Sequence, residues 1–153
     1  MQPLSFLNVS ARVGLLILGM LAVSACSTDD ELLSSLLDEL IAEYAHPDLQ
    51  VESRLEQGEG EGLLGKPVQA RVNTRYRAKH ADVVDEVIED ILSTAIATRW
   101  EMDQKPSEGL SGGKFWAGTK ELPVGVAVIS VGADPHGDDP LEVTIRLSFA
   151  ERS

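Results

Sequence analysis

Residues 67–98 read PVQARVNTRYRAKHADVVDEVIEDILSTAIAT, and this stretch sets the fold expected of the chain. Apolar and polar residues alternate over 68–79, which is the period of a strand with one buried face. From His80 or Asp82 to Thr98, apolar residues instead recur every three or four positions, which predicts an amphipathic helix. The residues expected on the buried face of this helix are Val83, Val84, Val87, Ile88, Ile91, Leu92, Ala95 and Ile96.

Strands are predicted on both sides of this stretch. Leu49–Gln57 also alternates and suits a β-hairpin with the strand at 67–79, closed by the acidic, glycine-rich loop at 58–62. Strands are also expected at 100–103, 114–119, 124–131 and 141–149, with a loop over 104–113. Strands, one long helix and more strands predict an α+β domain with an antiparallel sheet of about five to six strands.

An N-terminal helix is expected from Asp29 or Asp30 to about Ala45, before His46 and Pro47. Its apolar residues at helical spacing are Leu32, Leu33, Leu36, Leu37, Leu40, Ile41 and Tyr44. One interpretation is a helix that lies on the membrane or on a partner. Its polar face carries acids and lacks the Lys and Arg that membrane-surface helices usually have. We therefore expect it to pack on its own domain, on the same face of the sheet as the long helix.

Residues 13–26 form the apolar run VGLLILGMLAVSAC, which ends in small residues and the only cysteine of the chain. Residues 1–12 carry one positive charge and no acid. This is the pattern of a secretory leader, and the run is shorter than the roughly 20 residues that span a bilayer. The alternatives are a plain leader followed by a free cysteine, or a membrane anchor that is never cut.

The end of this run, Val23-Ser24-Ala25-Cys26, resembles the lipobox of bacterial lipoproteins. In that family the leader is cut before the cysteine, which then carries acyl chains such as palmitate. The resemblance implies a signal peptide at 1–25, a lipidated tether at 26–29 and a single domain at 30–153. It implies an extracytoplasmic location on the cell membrane, held by the acyl chains on Cys26. In a cell with two membranes, Ser27 after the cysteine permits sorting to the outer membrane.

The order of elements from 49 to 149 is similar to that of small uncharacterised lipoproteins of high-GC Gram-positive bacteria. In those proteins a hairpin that ends in an aromatic-basic pair, here Tyr76-Arg77, leads into a helix. The helix ends at a tryptophan, here Trp100, and hydrophobic strands follow. The resemblance implies an α+β domain and transfers no catalytic residue to this chain.

The charge balance excludes one class of partner. The chain has 13 Lys and Arg against 25 Asp and Glu, which gives a net charge of −12. A domain this acidic is repelled by nucleic acid and by anionic lipid headgroups, so we reject nucleic-acid binding. Because Cys26 is the only cysteine, the fold is expected to be held by its core and not by disulfides.

A basic row is the first candidate for a binding site. The polar side of the strand at 67–79 carries Arg71, Arg75, Arg77 and Lys79, in an otherwise acidic protein. Charge-assisted hydrogen bonds from these cationic groups could hold an anionic cell-wall polymer or a phosphorylated glycan. The alternative is a solvated strand face, on which the arginines pair across the hairpin with Glu52 and Glu56.

An aromatic pair is the second candidate. Phe115 and Trp116 lie close to glycines, and such a pair can stack on sugar or peptide. Alternation along a strand puts one ring inside and the other outside, and we take Trp116 as the binding candidate. The alternative is that both rings close the edge of the core.

The sequence offers no recognisable catalytic constellation. It has no Gly-x-Ser-x-Gly elbow, Walker loop, HExxH or Cys-x-x-Cys motif. The turn at 134–139 combines carboxylates with one imidazole, but hairpin turns use the same residue types, so we expect neither metal nor cofactor. We expect a membrane-anchored, non-catalytic binding or accessory module, with a cell-wall polymer or an envelope protein as partner. The alternatives are a carrier of a small apolar ligand and, third, an enzyme.

The lipobox predicts that Cys26 carries the lipid. Metabolic labelling with an alkyne fatty acid should mark the wild-type chain and leave Cys26→Ser unlabelled, because the thiol accepts the lipid. Ser27→Ala keeps the thiol and should be labelled like the wild type. Equal labelling of Cys26→Ser and wild type would contradict the prediction.

Overall fold

The computed structural model describes residues 28–61, 67–109, 112–134 and 138–150. The predicted leader, Cys26 and His136 lie outside the described residues. The described chain has two α-helices, α1 (Thr28–Leu37) and α2 (Val84–Ala97). Its strands are β1 (Leu49–Gln57), β2 (Gly60–Glu61), β3 (Pro67–Val68), β4 (Arg71–Ala78), β5 (Glu101–Met102), β6 (Ser107–Glu108), β7 (Lys114–Leu122), β8 (Gly125–Ala133) and β9 (Glu142–Phe149).

Seven of these strands form one antiparallel sheet in the order β1-β4-β9-β8-β7-β5, with β6 also paired to β7. β2 and β3 form a separate ribbon in the loop between β1 and β4. The α+β prediction is confirmed, but the predicted count of about five to six strands is too low. The additional strand is β6, which lies in the expected loop at 104–113. Its two residues are too few to show the period of two by which a strand is recognised.

The hydrophobic core lies between the helices and one face of the sheet, which we call the helix-side face. Along the chain, α2 connects β4 to β5, which lies at the opposite edge of the sheet from β1. β7, β8 and β9 then follow as adjacent strands, and β9 pairs with β4. The strand residues on this face that are 3% exposed or less are Val72, Thr74, Tyr76, Ala78, Ala127, Ile129, Val131, Val143, Ile145 and Leu147. They lie along β4, β9 and β8, whose ladders bring them side by side, so they form one continuous surface that is apolar except for Thr74.

The long helix lies close to its predicted position, with a 3-10 turn at Ala81–Val83 ahead of α2. Its buried residues are Val84, Val87, Ile88, Ile91 and Ala95, and Leu92 packs partly buried against the core. The prediction is wrong for Ile96, whose side chain is 60% exposed.

The end of α2 explains this exposure. Arg99 adopts a left-handed conformation with φ 71°, and the Trp100 N–H donates to the Ala95 carbonyl at 3.0 Å. This backbone hydrogen bond is the one that closes a Schellman helix end. Trp100 is therefore folded back under the last turn and is only 3% exposed. The indole, rather than Ile96, covers this end of the core.

The N-terminal segment is broken where a continuous helix is predicted. α1 ends at Leu37, and a 3-10 turn at Leu40–Glu43 follows, because Glu39 is extended at φ −72° and ψ 128°. The break changes the helical phase, so Leu40 is 71% exposed although the apolar stripe includes it. α1 still packs on β4 and the 3-10 turn packs on α2, so the segment lies on the helix-side face. Among the described residues, no helix has the length and apolarity needed to cross a membrane.

Two tyrosines attach this segment to the rest of the domain. The Tyr76 hydroxyl donates to the Tyr44 carbonyl at 3.0 Å, and the Tyr44 hydroxyl donates to Asp90 Oδ2 on α2 at 2.6 Å. Burial, followed by the hydrogen bond to Asp90, raises the pKa of Tyr44 well above its ordinary value. The Tyr44 hydroxyl therefore stays protonated and remains a donor at physiological pH.

Ile91 and Ile96 offer a matched test of the α2 packing, because they are the same residue type on one helix. Ile91 is fully buried, so Ile91→Ala should lower the free energy of unfolding by about 2–5 kcal/mol, through lost burial and a cavity. Ile96→Ala should change it by less than about 1 kcal/mol, because its side chain already contacts water. Chemical denaturation of the purified chain measures both values. Equal losses in the two variants would mean that the buried face is assigned incorrectly.

Candidate functional site on the outer sheet face

The two helices lie on one side of the sheet, and the opposite side, which we call the outer face, carries the predicted basic row. Cross-strand register aligns its central residues in three rows. The first row, from β7 to β1, is Thr119, Val128, Ser148, Arg71 and Gln57. The second row is Ala117, Ser130, Arg146, Asn73 and Leu55, and the third is Phe115, Gly132, Thr144, Arg75 and Ser53. Small and hydroxyl side chains therefore lie beside three arginines on this face.

A bulge in β1 decides which of its residues reach this face. β1 has the predicted bounds, but its register shifts between Val51 and Ser53, so Glu52 is an extra residue. Such a bulge reverses which side chains point to which face. Leu55 consequently shares the outer face with Asn73 instead of continuing the apolar side of Val51, and it is 45% exposed.

Arg77 is the most strongly paired member of the basic row. Its guanidinium donates hydrogen bonds to Glu52 and to Asp139, the latter at 2.6 Å between Nη2 and Oδ2. The hydrogen bond to Glu52, helped by the charge of Asp139, raises the pKa of Arg77 above its ordinary value. The predicted alternative of pairing with Glu52 across the hairpin is therefore confirmed at this position. Through these ion pairs, Arg77 links Glu52 of β1 to Asp139, which precedes β9. Both carboxylates therefore already bind its guanidinium group.

Arg71 and Arg75 have weaker partners. Arg75 Nε lies 3.3 Å from Glu142 Oε2, and both side chains are solvent-accessible. Arg71 Nε donates to Gln57 Oε1 at 2.8 Å, and that partner is an uncharged amide. Glu56, the other expected partner of the row, instead pairs with Arg54 at 2.7 Å. Arg71 therefore has no carboxylate partner among the described residues.

Arg146 is a fourth arginine on the outer face, and it is absent from the binding candidates predicted from the sequence. It lies on β9 directly opposite Asn73, so it is a diagonal neighbour of both Arg71 and Arg75. It is exposed and makes no hydrogen bond or ion pair with any described residue. The alternation of the last strand already places Arg146 on a polar side, but only the β4–β9 register brings it to the basic row.

The two aromatic rings are divided between the faces, as alternation predicts. Trp116 is opposite Val131 on the helix-side face, where it packs partly buried against the core. It therefore does not share a surface with Arg71, Arg75 and Arg77. Phe115 is opposite Gly132 on the outer face and is 41% exposed. A Cβ at Gly132 would lie 2.8 Å from the Phe115 ring, so glycine allows the ring to lie against the strand.

An acidic groove of about 310 Å³ lies beside Phe115 at the end of the outer face. Its lining residues are Phe115, Gly132, Ala133, Asp134, Asp138, Asp139, Glu142 and Thr144. Carboxylate oxygens of Glu52, Asp139 and Glu142 all come within 4.8 Å of one another. Arg75 and Arg77 pair with these three carboxylates, so their charge is already largely balanced by the protein. One end of the outer face is thus acidic, and its carboxylates pair with Arg75 and Arg77. The other end is basic, and no described carboxylate pairs with Arg71 or Arg146 there.

Comparison of this chain with protein-family models, with curated proteins and with solved structures finds no significant match. The function of the chain is therefore inferred from the geometry of the outer face and from the N-terminal sequence.

The different pairing of Arg77 and Arg146 predicts opposite effects on stability. Arg77→Ala should lower the melting temperature, because Glu52 and Asp139 lose their shared counter-charge and repel each other. Arg146→Ala should leave it unchanged or raise it, because Arg146 has like-charged diagonal neighbours. Both effects should shrink in 1 M salt, where the Debye length falls to about 3 Å. An equal decrease in the two variants at low salt would contradict this assignment of ion pairs.

Proposed function

We propose that the protein is a lipid-anchored envelope lipoprotein that acts as a non-catalytic binding module. In this proposal the outer face of the sheet binds an anionic envelope partner, with a cell-wall polymer as the preferred class. The observation that carries the proposal is that two guanidinium groups on the outer face, those of Arg71 and Arg146, have no carboxylate partner among the described residues. The chain as a whole is strongly acidic, with a net charge of −12, so this local excess of positive charge stands out.

The proposed membrane location rests on the N-terminal sequence. The run that ends at Cys26 predicts acylation there, and α1 begins at Thr28, two residues later. Since a residue of extended chain spans at most about 3.3–3.6 Å, the domain would be held at the extracytoplasmic membrane surface. The excess of negative charge repels such a domain from bare anionic lipid, whereas neighbouring wall polymers lie close enough for the domain to contact them.

A polar partner is favoured over the small apolar ligand of a carrier. Apolar carriers need an apolar pocket of a few hundred Å³. The groove at the end of the outer face has a comparable volume but is lined by four carboxylates. On the helix-side face, Ile129 of β8 and Ile91 of α2 are both fully buried, and these two elements pack against each other. The large exposed surface is the outer face, and its small polar residues suit a hydrated polymer.

Binding of the full chain to purified cell wall tests this proposal. Ala117 is exposed in the middle of the outer face, and Ala97 is exposed on α2. Ala117→Glu adds bulk and negative charge to the proposed surface and should weaken wall binding by roughly fivefold or more. Ala97→Glu makes the same chemical change on the helix side and should bind like the wild type.

Three results would contradict the proposal. One is a wild-type chain that does not sediment with the wall at low salt, because then no anionic wall partner exists. Another is an equal effect of Ala117→Glu and Ala97→Glu, because then the outer face is not the binding surface. The third is binding that is fully retained at high salt, since screening should weaken a contact between surface charges.

A further inference from the structure

Three arginines surround Asn73 on the outer face, and we call them the arginine triangle: Arg71, Arg75 and Arg146. Asn73 pairs with Arg146 across the β4–β9 ladder, and Arg71 and Arg75 lie two residues to either side of Asn73. Diagonal neighbours on an antiparallel sheet have centres about 7–8 Å apart. The three flexible side chains can therefore reach one point above Asn73.

The charges of the arginine triangle are poorly balanced by the described part of the protein. Of these three arginines, only Arg75 pairs with Glu142, at 3.3 Å. Arg71 donates a hydrogen bond to the amide oxygen of Gln57, which carries no charge. Like charges at neighbouring positions of a sheet repel one another, so this arrangement is unfavourable without an anion. Arg77 differs, because Glu52 and Asp139 already bind its guanidinium. The unbalanced charge of the four outer-face arginines thus lies in the triangle.

We infer that the arginine triangle binds phosphate groups of a phosphodiester polymer in the cell wall. This inference rests on the proposed function and names the chemical class of its ligand. Guanidinium groups bind both carboxylate and phosphate, often through two parallel hydrogen bonds. A carboxylate is planar, so its acceptor sites lie in one plane, where a single arginine can engage both oxygens. A phosphodiester group also has two charged oxygens, but it is tetrahedral, so guanidinium groups that rise from different points of the sheet can approach it from several directions.

The short side chains around the triangle favour a polymer over a free anion. The residues that flank the triangle, Thr144, Ser148 and Ser130, are short, so no wall encloses a single bound phosphate among the described strands. A lone anion there stays exposed to water and to competing salt. In a polymer, once one phosphate is bound the next is held at high local concentration, and weak contacts then add up. The hydroxyl groups of the flanking residues can also donate to sugar or polyol oxygens.

The test uses the full chain in non-ionic detergent and four probes. These are poly(glycerol phosphate), poly-glutamate of matched charge, inorganic phosphate, and glycerophosphoglycerol, which is the soluble headgroup of phosphatidylglycerol. The wild type should bind poly(glycerol phosphate) about tenfold or more tightly than each of the other three. Equal binding of poly-glutamate would overturn the phosphate assignment. Equal binding of inorganic phosphate or of glycerophosphoglycerol would overturn the polymer assignment, in favour of a free anion or a lipid headgroup.

Arginine variants test the site itself. Arg146→Ala should weaken poly(glycerol phosphate) binding about tenfold, and Arg146→Lys should restore only part of it, because an ammonium group lacks the planar pair of donors. Arg99→Ala removes an exposed arginine on the helix side and should have no effect. Unchanged polymer binding by Arg146→Ala would overturn the inference. If Ala117→Glu still weakened wall binding in that case and Ala97→Glu did not, the proposed function would stand and only its ligand site would be wrong.

Discussion

Burial of one face of the sheet under α2 and the N-terminal segment is the constraint on which the rest of the molecule depends. Ile91 of α2 and Ile129 of β8 are both fully buried, and the contact between these elements is continuous with the core. With the helices on this side, the opposite face must be compatible with water. That requirement explains its small hydroxyl residues and exposed arginines. The site proposed for ligand binding is thus a consequence of where the helices pack.

The N-terminal segment is joined to this core by polar contacts as well as by apolar ones. Lys120 on the helix-side face pairs with Glu39 at 2.6 Å, in a location where the two side chains are only 20% and 10% exposed. The Lys120 ammonium also lies 5.9 Å from the centre of the Trp100 ring, within the range of a cation–π contact. A buried ion pair adds little net stability, but removing one of the two partners leaves the other as an uncompensated buried charge. The pair therefore favours one position of the segment over others.

This attachment bears on the proposed function. The anchor predicted at Cys26 is separated from α1 by one residue, and α1 leads into the segment that Glu39 and Tyr44 hold against the sheet. A lipid attached so close to a fixed segment would restrict how the domain turns on the membrane. The outer face would then be presented to the wall in a limited range of directions. A long flexible tether would not impose that restriction, because its ends move nearly independently.

Elements with a local signal could be predicted from the amino-acid sequence. Alternation predicted β1 with its observed bounds and placed Arg71, Arg75 and Arg77 on one face, and the 3.6-residue period predicted α2 and its buried residue Ile91. The tertiary structure alone decided the rest, because it depends on residues far apart in the chain. The bulge at Glu52, the ion pairs of Arg77 and the helix break at Glu39 follow from partners on other strands and helices. Arg146 joins the arginine triangle through the register of β4 with β9, which no local period encodes.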